Sequence, residues 1–206
     1  MNNNDIYKQV GYDLVISQIP ENSKVLDLGC GDGELLSRLI QKKRIQGFGV
    51  EISESGLRQC VEKGLYCYQS DIDEGLSDYK DNAFNYVILN QTIQSTKMPE
   101  YVLKETMRVA EFAIVSFPNF AHYTTRLSLL LGGLMPKTKV LPFEWYNSPN
   151  IHLLTIRDFV NTCKKFNFHI KKSINFSYTS NGKIKIINSF PNIFAQYGFF
   201  ILDGTK

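Results

Sequence analysis

An acidic residue followed by three closely spaced glycines is the segment of this sequence best suited to chemistry. Residues 27–33 read DLGCGDG and follow an apolar run that is typical of a buried strand. Leucines at helical spacing come directly after, so the pattern predicts a strand, a tight turn and a helix. In an open α/β sheet such a turn lies at the carboxyl end of the first strand, where ligands bind.

The carboxylates around this turn argue against a phosphate ligand. Asp27 precedes the turn, and Asp32 and Glu34 lie in it or just after it. A pyrophosphate would bind the free N–H groups at the start of the helix, where three negative side chains would repel it. The pattern therefore favours a cationic ligand without phosphate over a dinucleotide. A tight turn that binds no ligand is the remaining alternative.

Polar side chains also follow the next predicted strands. Glu51 comes about twenty residues after the glycine loop, the spacing at which Rossmann-like folds bind ribose hydroxyls with a carboxylate. Asp71 and Asn90 follow the ends of two further strands, at the same edge of the sheet. Asp73 and Glu74 are expected to be solvent-exposed loop acids without a role in binding.

Apolar periodicity predicts an α/β chain with a mostly parallel seven-stranded sheet, an antiparallel last strand at a sheet edge and helices on both faces. The predicted helices cover residues 5–19, 32–41, 53–63, 100–109, 127–131 and 155–166. The predicted strands cover residues 24–29, 45–51, 65–69, 84–90, 110–117, 168–178 and 196–203. We expect one domain over residues 1–206, with its core at about 20–178.

A long connection, about residues 132–152, is predicted to be a lid over the site. Loops of this length in a compact domain are usually functional or disordered, and the aromatic residues Trp145 and Tyr146 argue against disorder. His122 follows the PNF run before this region, His152 closes the region, and both are candidate general bases. The alternative for each is a hydrogen-bonded histidine that holds a loop. Asn119, Tyr146 and Asn150 have two alternative roles: they orient a substrate, or they hold the loop together.

Composition limits the compartment, the metal content and the kinds of partner that we expect. The four cysteines form no Cys-x-x-Cys pair, so we expect small buried thiols in a reducing compartment and no metal site. No apolar run approaches a membrane span and no signal peptide is recognisable, which predicts a cytoplasmic protein without membrane contact. Residues 1–117 carry 12 basic and 17 acidic side chains, whereas residues 118–206 carry 11 and 3. This basic half is a solvated face or a docking surface for an acidic partner, and no helix concentrates lysines as nucleic-acid binding would require.

The chain resembles the methionine biosynthesis protein MetW family of the class I S-adenosylmethionine-dependent methyltransferases. The resemblance covers about residues 23–166 and is carried by the runs DLGCGDGELL, GFGVEIS, DIDEGL, NQTIQ, IVSFPNF and WY-SPNIHL-TIRDF. It implies S-adenosylmethionine as cofactor and S-adenosylhomocysteine as product. The cofactor contacts expected on this basis are Asp27, Gly29, Cys30, Gly31, Gly33, Glu51, Ile52, Asp71, Ile72 and Asn90.

The resemblance also implies a partner, because proteins of this family accompany homoserine O-acetyltransferase in methionine biosynthesis. A regulatory subunit that docks through the basic face, with Lys171, Lys172, Lys183 and Lys185, is therefore one hypothesis. A small-molecule methyltransferase that acts independently of that partner is the other.

Overall fold

The structure is a computed structural model that describes residues 11–179 and 181–204 of the 206-residue chain. Its helices are α1 (Tyr12–Gln18), α2 (Glu34–Lys43), α3 (Glu54–Glu62), α4 (Pro99–Val109), α5 (Tyr123–Gly132), α6 (Ile156–Lys165) and α7 (Pro191–Phe194). Its strands are β1 (Lys24–Leu28), β2 (Gln46–Glu51), β3 (Tyr66–Gln69), β4 (Phe84–Asn90), β5 (Ala110–Pro118), β6 (His169–Ser173), β7 (Phe176–Tyr178), β8 (Ile184–Ile186) and β9 (Tyr197–Asp203). Residues 5–10 of the predicted first helix lie outside the described residues. Within the described part, no helix is both long enough and apolar enough to cross a bilayer.

The strands form one sheet in the order β3-β2-β1-β4-β5-β9-β7-β8, with β6 also paired to β9. Strands β1 to β5 are parallel, and β9 is antiparallel to β5. The predicted mostly parallel α/β sheet is confirmed, but the described residues contain nine strands instead of seven. The predicted strand 168–178 is divided into β6 and β7, and the short strand β8 pairs with β7 as a hairpin.

Strand β9 is central, whereas an edge position was predicted. Its first six residues are all buried, with β5 on one side and β6 and β7 on the other. Strands buried on both faces have continuous apolar sequence, and YGFFIL at residues 197–202 is such a run. The core therefore extends to β9, beyond the predicted limit at residue 178.

Helices cover both faces of the sheet, as predicted. On one face, Val15 of α1 and Leu36 of α2 pack in one apolar cluster. On the other, α4 and α6 contribute to a second cluster in which the rings of Phe117, Phe159 and Phe200 are in contact. This two-sided packing fixes the strands, so the carboxyl ends of β1, β2 and β4 present their loops at one edge.

Candidate functional site

The glycine loop lies between β1 and α2 with three glycines in the left-handed region. Gly33 directly precedes α2, and a Cβ there would overlap Leu65 and lie 2.9 Å from the Sγ of Cys60. At Gly31 the φ angle is 57°, and an added Cβ would meet no atom within 4 Å. Gly33 therefore allows the close packing behind the loop, while Gly31 leaves open space in front of it.

Glu51 at the end of β2 holds the loop in place. Its Oε2 accepts a hydrogen bond of 2.8 Å from the backbone N–H of Gly31. Its Oε1 accepts one of 2.8 Å from the N–H of Ser53, just before α3. The residue is 8% exposed. Since an ionised carboxylate has about four acceptor positions, Glu51 keeps the capacity to bind ligand hydroxyls as well.

Two adjoining cavities of about 190 Å³ each flank the loop and share Gly29. We call them the loop cavity and the strand-end cavity. The loop cavity is lined by Tyr12, Asp27, Gly29, Cys30, Gly31, Asp32, Leu35, Asn90 and Gln91. The strand-end cavity is lined by Gly29, Val50, Glu51, Ile52, Ser70, Asp71, Ile72, Asp73, Thr92, Ser95, Thr96 and Lys97. Together they reach the lower part of the range of about 300–1,000 Å³ that is typical of small-molecule sites.

The structure thus brings nine of the ten expected cofactor residues to these cavities. The exception is Gly33, whose contacts are behind the loop. The cavities also contain Thr92, Tyr12 and Lys97. Thr92 belongs to the polar run that begins at Asn90 and is expected at this sheet edge from the sequence. The other two reach the cavities from α1 and from the segment before α4, and only tertiary packing places them there.

Asp27 gives the loop cavity its charge. It is 3% exposed on β1, and this burial raises its pKa from 3.8 to about 7. Cys67 and Glu51, when ionised, contribute to the same shift. Because the ionised form is poorly solvated, a cation placed in the loop cavity would stabilise it and lower the pKa. The cavity is therefore suited to a positively charged group.

The other two acids near the loop do not contribute as expected. Glu34 accepts a hydrogen bond of 2.7 Å from Arg38 and lies 3.3 Å from Lys63. The hydrogen bond from Arg38 lowers the pKa of Glu34. Lys63 is also 3.6 Å from Asp32. The predicted group of three repelling carboxylates is therefore wrong in detail, because two of them are neutralised by neighbouring cations.

The strand-end cavity combines apolar and acidic groups. Ile52, 60% exposed, and Ile72 supply the apolar surface. Asp71 accepts a hydrogen bond of 2.9 Å from the N–H of Asp73 at the start of a short helical turn. The expectation that Asp73 is a solvent-exposed acid is wrong: it is 9% exposed and accepts the N–H groups of residues 97 and 98 at 2.8 Å each. Asp73 thus holds the segment that precedes α4.

His122 and Asn119 have structural contacts. His122 caps α5, because its Nδ1 accepts a hydrogen bond of 3.4 Å from the N–H of Thr124 and lies 2.7 Å from that residue's hydroxyl. Burial lowers the pKa of His122. The side-chain amide of Asn119 donates to Ala195 O at 2.7 Å and accepts the N–H of Ala121 at 3.1 Å. Neither residue lines the two cavities, which agrees with the loop-holding alternative for both.

The predicted lid segment follows α5 without regular structure. Its Trp145 and Tyr146 are 77% and 70% exposed and contact each other edge to face. They do not line the cavities, and neither does Asn150, whose N–H donates to Ser148. Closure of this segment over the site stays a prediction.

His152 lies closer to the site. The N–H groups of Ile151 and His152 both donate to the carbonyl of Gln94 at 2.9 Å. Gln94 belongs to the short turn after β4, and its neighbour Ser95 lines the strand-end cavity. Among the described residues, Nε2 of His152 and Oε1 of Gln94 are buried and have no hydrogen-bond partner. Neither residue lines the two cavities, but buried polar atoms of this kind normally have a hydrogen-bond partner, which water or a ligand can supply.

Solved structures share this architecture over almost the whole chain. An S-adenosylmethionine-dependent methyltransferase from Thermotoga maritima matches with a TM-score of 0.72 and 17% identity, covering 98% of this chain and 92% of that one. A second one, from Archaeoglobus fulgidus, matches with a TM-score of 0.67 and 15% identity, covering 98% and 94%. The sheet order and the loop at the end of β1 thus define a chain with the class I methyltransferase fold.

The sequence relatives narrow this class to one family. The family model described as "Methionine biosynthesis protein MetW" matches residues 9–202, and the chain belongs to that family. The bifunctional methionine biosynthesis protein MetXA/MetW of Rhodopirellula baltica is 33% identical over an alignment of 201 positions that covers 93% of this chain. The alignment covers 32% of that relative, so the chain spans about a third of its length.

The raised pKa of Asp27 predicts how stability depends on pH. The folded state keeps the proton of Asp27 up to a pH of about 7, whereas the unfolded state loses it near pH 3.8. Unfolding therefore releases a proton between these values, and stability falls as pH rises through this window. We expect the free energy of unfolding, relative to Asp27→Asn, to fall by up to about 1.4 kcal/mol per pH unit from pH 5 to 7 and then to level off.

Urea unfolding of both proteins at pH 5, 6, 7 and 8 measures this difference. Asp78→Asn is the matched control, because it removes the same charge at an exposed position. A difference between wild type and Asp27→Asn that is the same at every pH would contradict the prediction.

Proposed function

We propose that this chain is an S-adenosylmethionine-binding protein of methionine biosynthesis that acts together with homoserine O-acetyltransferase. The observation that carries the cofactor proposal is the pairing of buried Asp27 in the loop cavity with Glu51 at the junction to the strand-end cavity. These groups suit a nucleoside whose other end is cationic. They do not suit a diphosphate, since both carboxylates are buried and negative when ionised.

The residues present fit each part of that cofactor. Asp27 in the loop cavity would attract its positively charged amino-acid end. Glu51 would accept hydrogen bonds from ribose hydroxyls, as acids at this strand end do in related folds. Ile52 and Ile72 would pack against the adenine, and Asp71 would accept from its amino group. The cofactor supplies a methyl group on a positively charged sulfur.

The partner proposal is supported by the name of the Rhodopirellula baltica relative, which joins MetXA and MetW parts in one chain. Parts that are fused in one protein are candidates for association when they occur on separate chains. The surface that we propose for docking is the basic hairpin of β7 and β8. Strand β8 is the last in the sheet order, and the exposed Lys183 and Lys185 lie beside and within it. Lys171 already lies over the ring of Phe112, and Lys172 donates a hydrogen bond to Gln18, so the proposed surface is limited to the other two lysines.

Cofactor binding is tested by calorimetric titration with S-adenosylhomocysteine. We expect binding to the wild type and at least about tenfold weaker binding to Glu51→Gln, because a charged hydrogen bond contributes about 1.5–3 kcal/mol. Glu62→Gln, the same change at an exposed position of α3, should bind like the wild type. Titration with NAD should give no heat of binding; binding of NAD in place of the nucleoside would refute the assignment.

Docking is tested by co-purification with the homoserine O-acetyltransferase of the same organism. We expect Lys183→Glu with Lys185→Glu to weaken the complex at least about tenfold and to make it less sensitive to salt, because charges across an interface steer association. Lys42→Glu with Lys80→Glu changes the net charge equally on other exposed positions and should leave the complex intact. Equal affinity of both double variants would remove the hairpin as the docking surface.

Methyl transfer to a small molecule is the second candidate function. It is favoured by the buried Nε2 of His152 and Oε1 of Gln94, which lack partners among the described residues. A hydroxyl or amino group could donate to one of them, and His152 could then take its proton as general base. Positioning the acceptor in line with the methyl group would supply most of the acceleration.

Transfer of label from S-adenosylmethionine to the small-molecule fraction of a cell extract tests this function. We expect His152→Ala to lower the rate at least about 100-fold while the affinity for S-adenosylhomocysteine stays within about threefold of wild type. His169→Ala, at an exposed position of β6, is the control. Equal loss of rate and affinity would count against a general base, and no transfer by the wild type would leave the regulatory role.

A further inference from the structure

Three cysteines from separate elements meet directly behind the glycine loop. Cys30 lies in the loop, Cys60 on α3 and Cys67 on β3. The Sγ of Cys30 is 3.8 Å from that of Cys60 and 3.8 Å from that of Cys67. All three sulfur atoms lie within 4.8 Å of one another. The three thiols thus form a triangle, which we call the cysteine cluster.

The spacing of the cysteine cluster matches that of metal ligands. Two sulfur ligands of a tetrahedral ion with Zn–S bonds of about 2.3 Å lie about 3.8 Å apart. Both distances from Cys30 already have this value, so an ion would require little movement of these side chains. A disulfide, by comparison, needs two sulfur atoms about 2.05 Å apart and would leave the third thiol unused.

A glycine makes room for the cluster. Gly49 lies on β2, and a Cβ there would be 2.5 Å from the Sγ of Cys67 and 2.7 Å from that of Cys30. Any larger residue at position 49 would push these two sulfur atoms away from their present positions. The backbone of β2 is therefore compatible with three converging thiols only while residue 49 has no side chain.

The surrounding charges favour a cation. Asp27 and Glu51 both interact electrostatically with Cys67, and each is buried. Lys63 is the basic group that interacts with Cys60, and its ammonium also lies 3.3 Å from Glu34 and 3.6 Å from Asp32. When ionised, the two buried carboxylates would attract a metal ion at the cluster, whereas the charge of Lys63 is shared with Glu34 and Asp32.

The cluster is accessible from one side. Cys30 and Cys60 are buried, but Cys67 is only half-buried. It lies on β3, the first strand in the sheet order, between the exposed Tyr66 and Tyr68. An ion could thus reach the buried thiols past the outer strand without unfolding of the core, and an entry path is one requirement of a metal site.

We propose that Cys30, Cys60 and Cys67 form a binding site for one thiophilic metal ion of the zinc or copper(I) type behind the glycine loop. Thiolates are the preferred ligands of such soft ions. Three protein ligands leave one position of a tetrahedral ion for an external ligand. Binding displaces the thiol protons, so affinity increases with pH. The proposal departs from the sequence-based expectation of no metal site.

Titration of the reduced full-length protein with Cd²⁺ under argon tests the site, with Zn²⁺ as competitor. We expect one equivalent to bind with a thiolate-to-metal charge-transfer band in the ultraviolet, and a large excess of Zn²⁺ to weaken the band because both ions compete for the same thiolates. Cys67→Ser should lower the affinity more than about tenfold and reduce the band by about a third, since one of three ligands is lost. Cys163→Ser, which removes a buried thiol of α6 outside the cluster, should behave like the wild type.

Two results would overturn the proposal. One is the absence of a charge-transfer band in the wild type at one equivalent of Cd²⁺. The other is equal binding by Cys67→Ser, Cys163→Ser and the wild type. Cys67 is chosen because it is half-buried and its replacement disturbs the fold least; far-ultraviolet circular dichroism verifies that each variant is folded. The measurement involves no nucleoside, so it is independent of the proposed cofactor.

Discussion

The two hydrogen bonds that Glu51 accepts are the interaction on which the site depends. They join the glycine loop, the end of β2 and the start of α3 through one buried carboxylate. Charged hydrogen bonds of this kind are worth more than neutral ones, because the acceptor is ionised and shielded from water. The carboxylate lines the strand-end cavity and is bonded to Gly31, which lines the loop cavity. A ligand that bridges the cavities would thus meet an acceptor that is already positioned, at little entropic cost.

The same buried carboxylate raises the energy of ionising Asp27, its neighbour across the loop. The fold therefore holds two interacting acids, Asp27 and Glu51. Among the described residues that line the loop cavity, none is a cation that could compensate them. Asp32 and Glu34, which looked equivalent in the sequence, are compensated by Lys63 and Arg38. The proposed selectivity for a cationic ligand consequently depends on burial at this edge of the sheet and not on the number of acidic residues near the turn.

Features set by local sequence patterns were predictable, whereas features set by contacts between distant segments were not. Local patterns were enough for β1 to β5, because each buried strand ends at a polar residue and each helix has its own apolar period. The position of β9 was not predictable in that way, since it depends on pairing with β5, some 80 residues earlier, and with β6 and β7. The ion pairs of Lys63 and the convergence of Cys30, Cys60 and Cys67 also depend on contacts between distant segments, which spacing in one sequence does not encode.

The parts of the site proposed for the cofactor and for a methyl acceptor, here the cofactor side and the acceptor side, differ for the same reason in how far the sequence predicts them. The cofactor side is built from strand ends whose backbone positions follow from the sheet, so residue type and position together predict it. The acceptor side depends on the long segment after α5, whose aromatic side chains are exposed and whose far end is tied to the carbonyl of Gln94. That tie brings His152 to the turn after β4 without a partner for Nε2 among the described residues. A fold shared by many enzymes determines where a cofactor binds, whereas the chemistry depends on what such a segment adds.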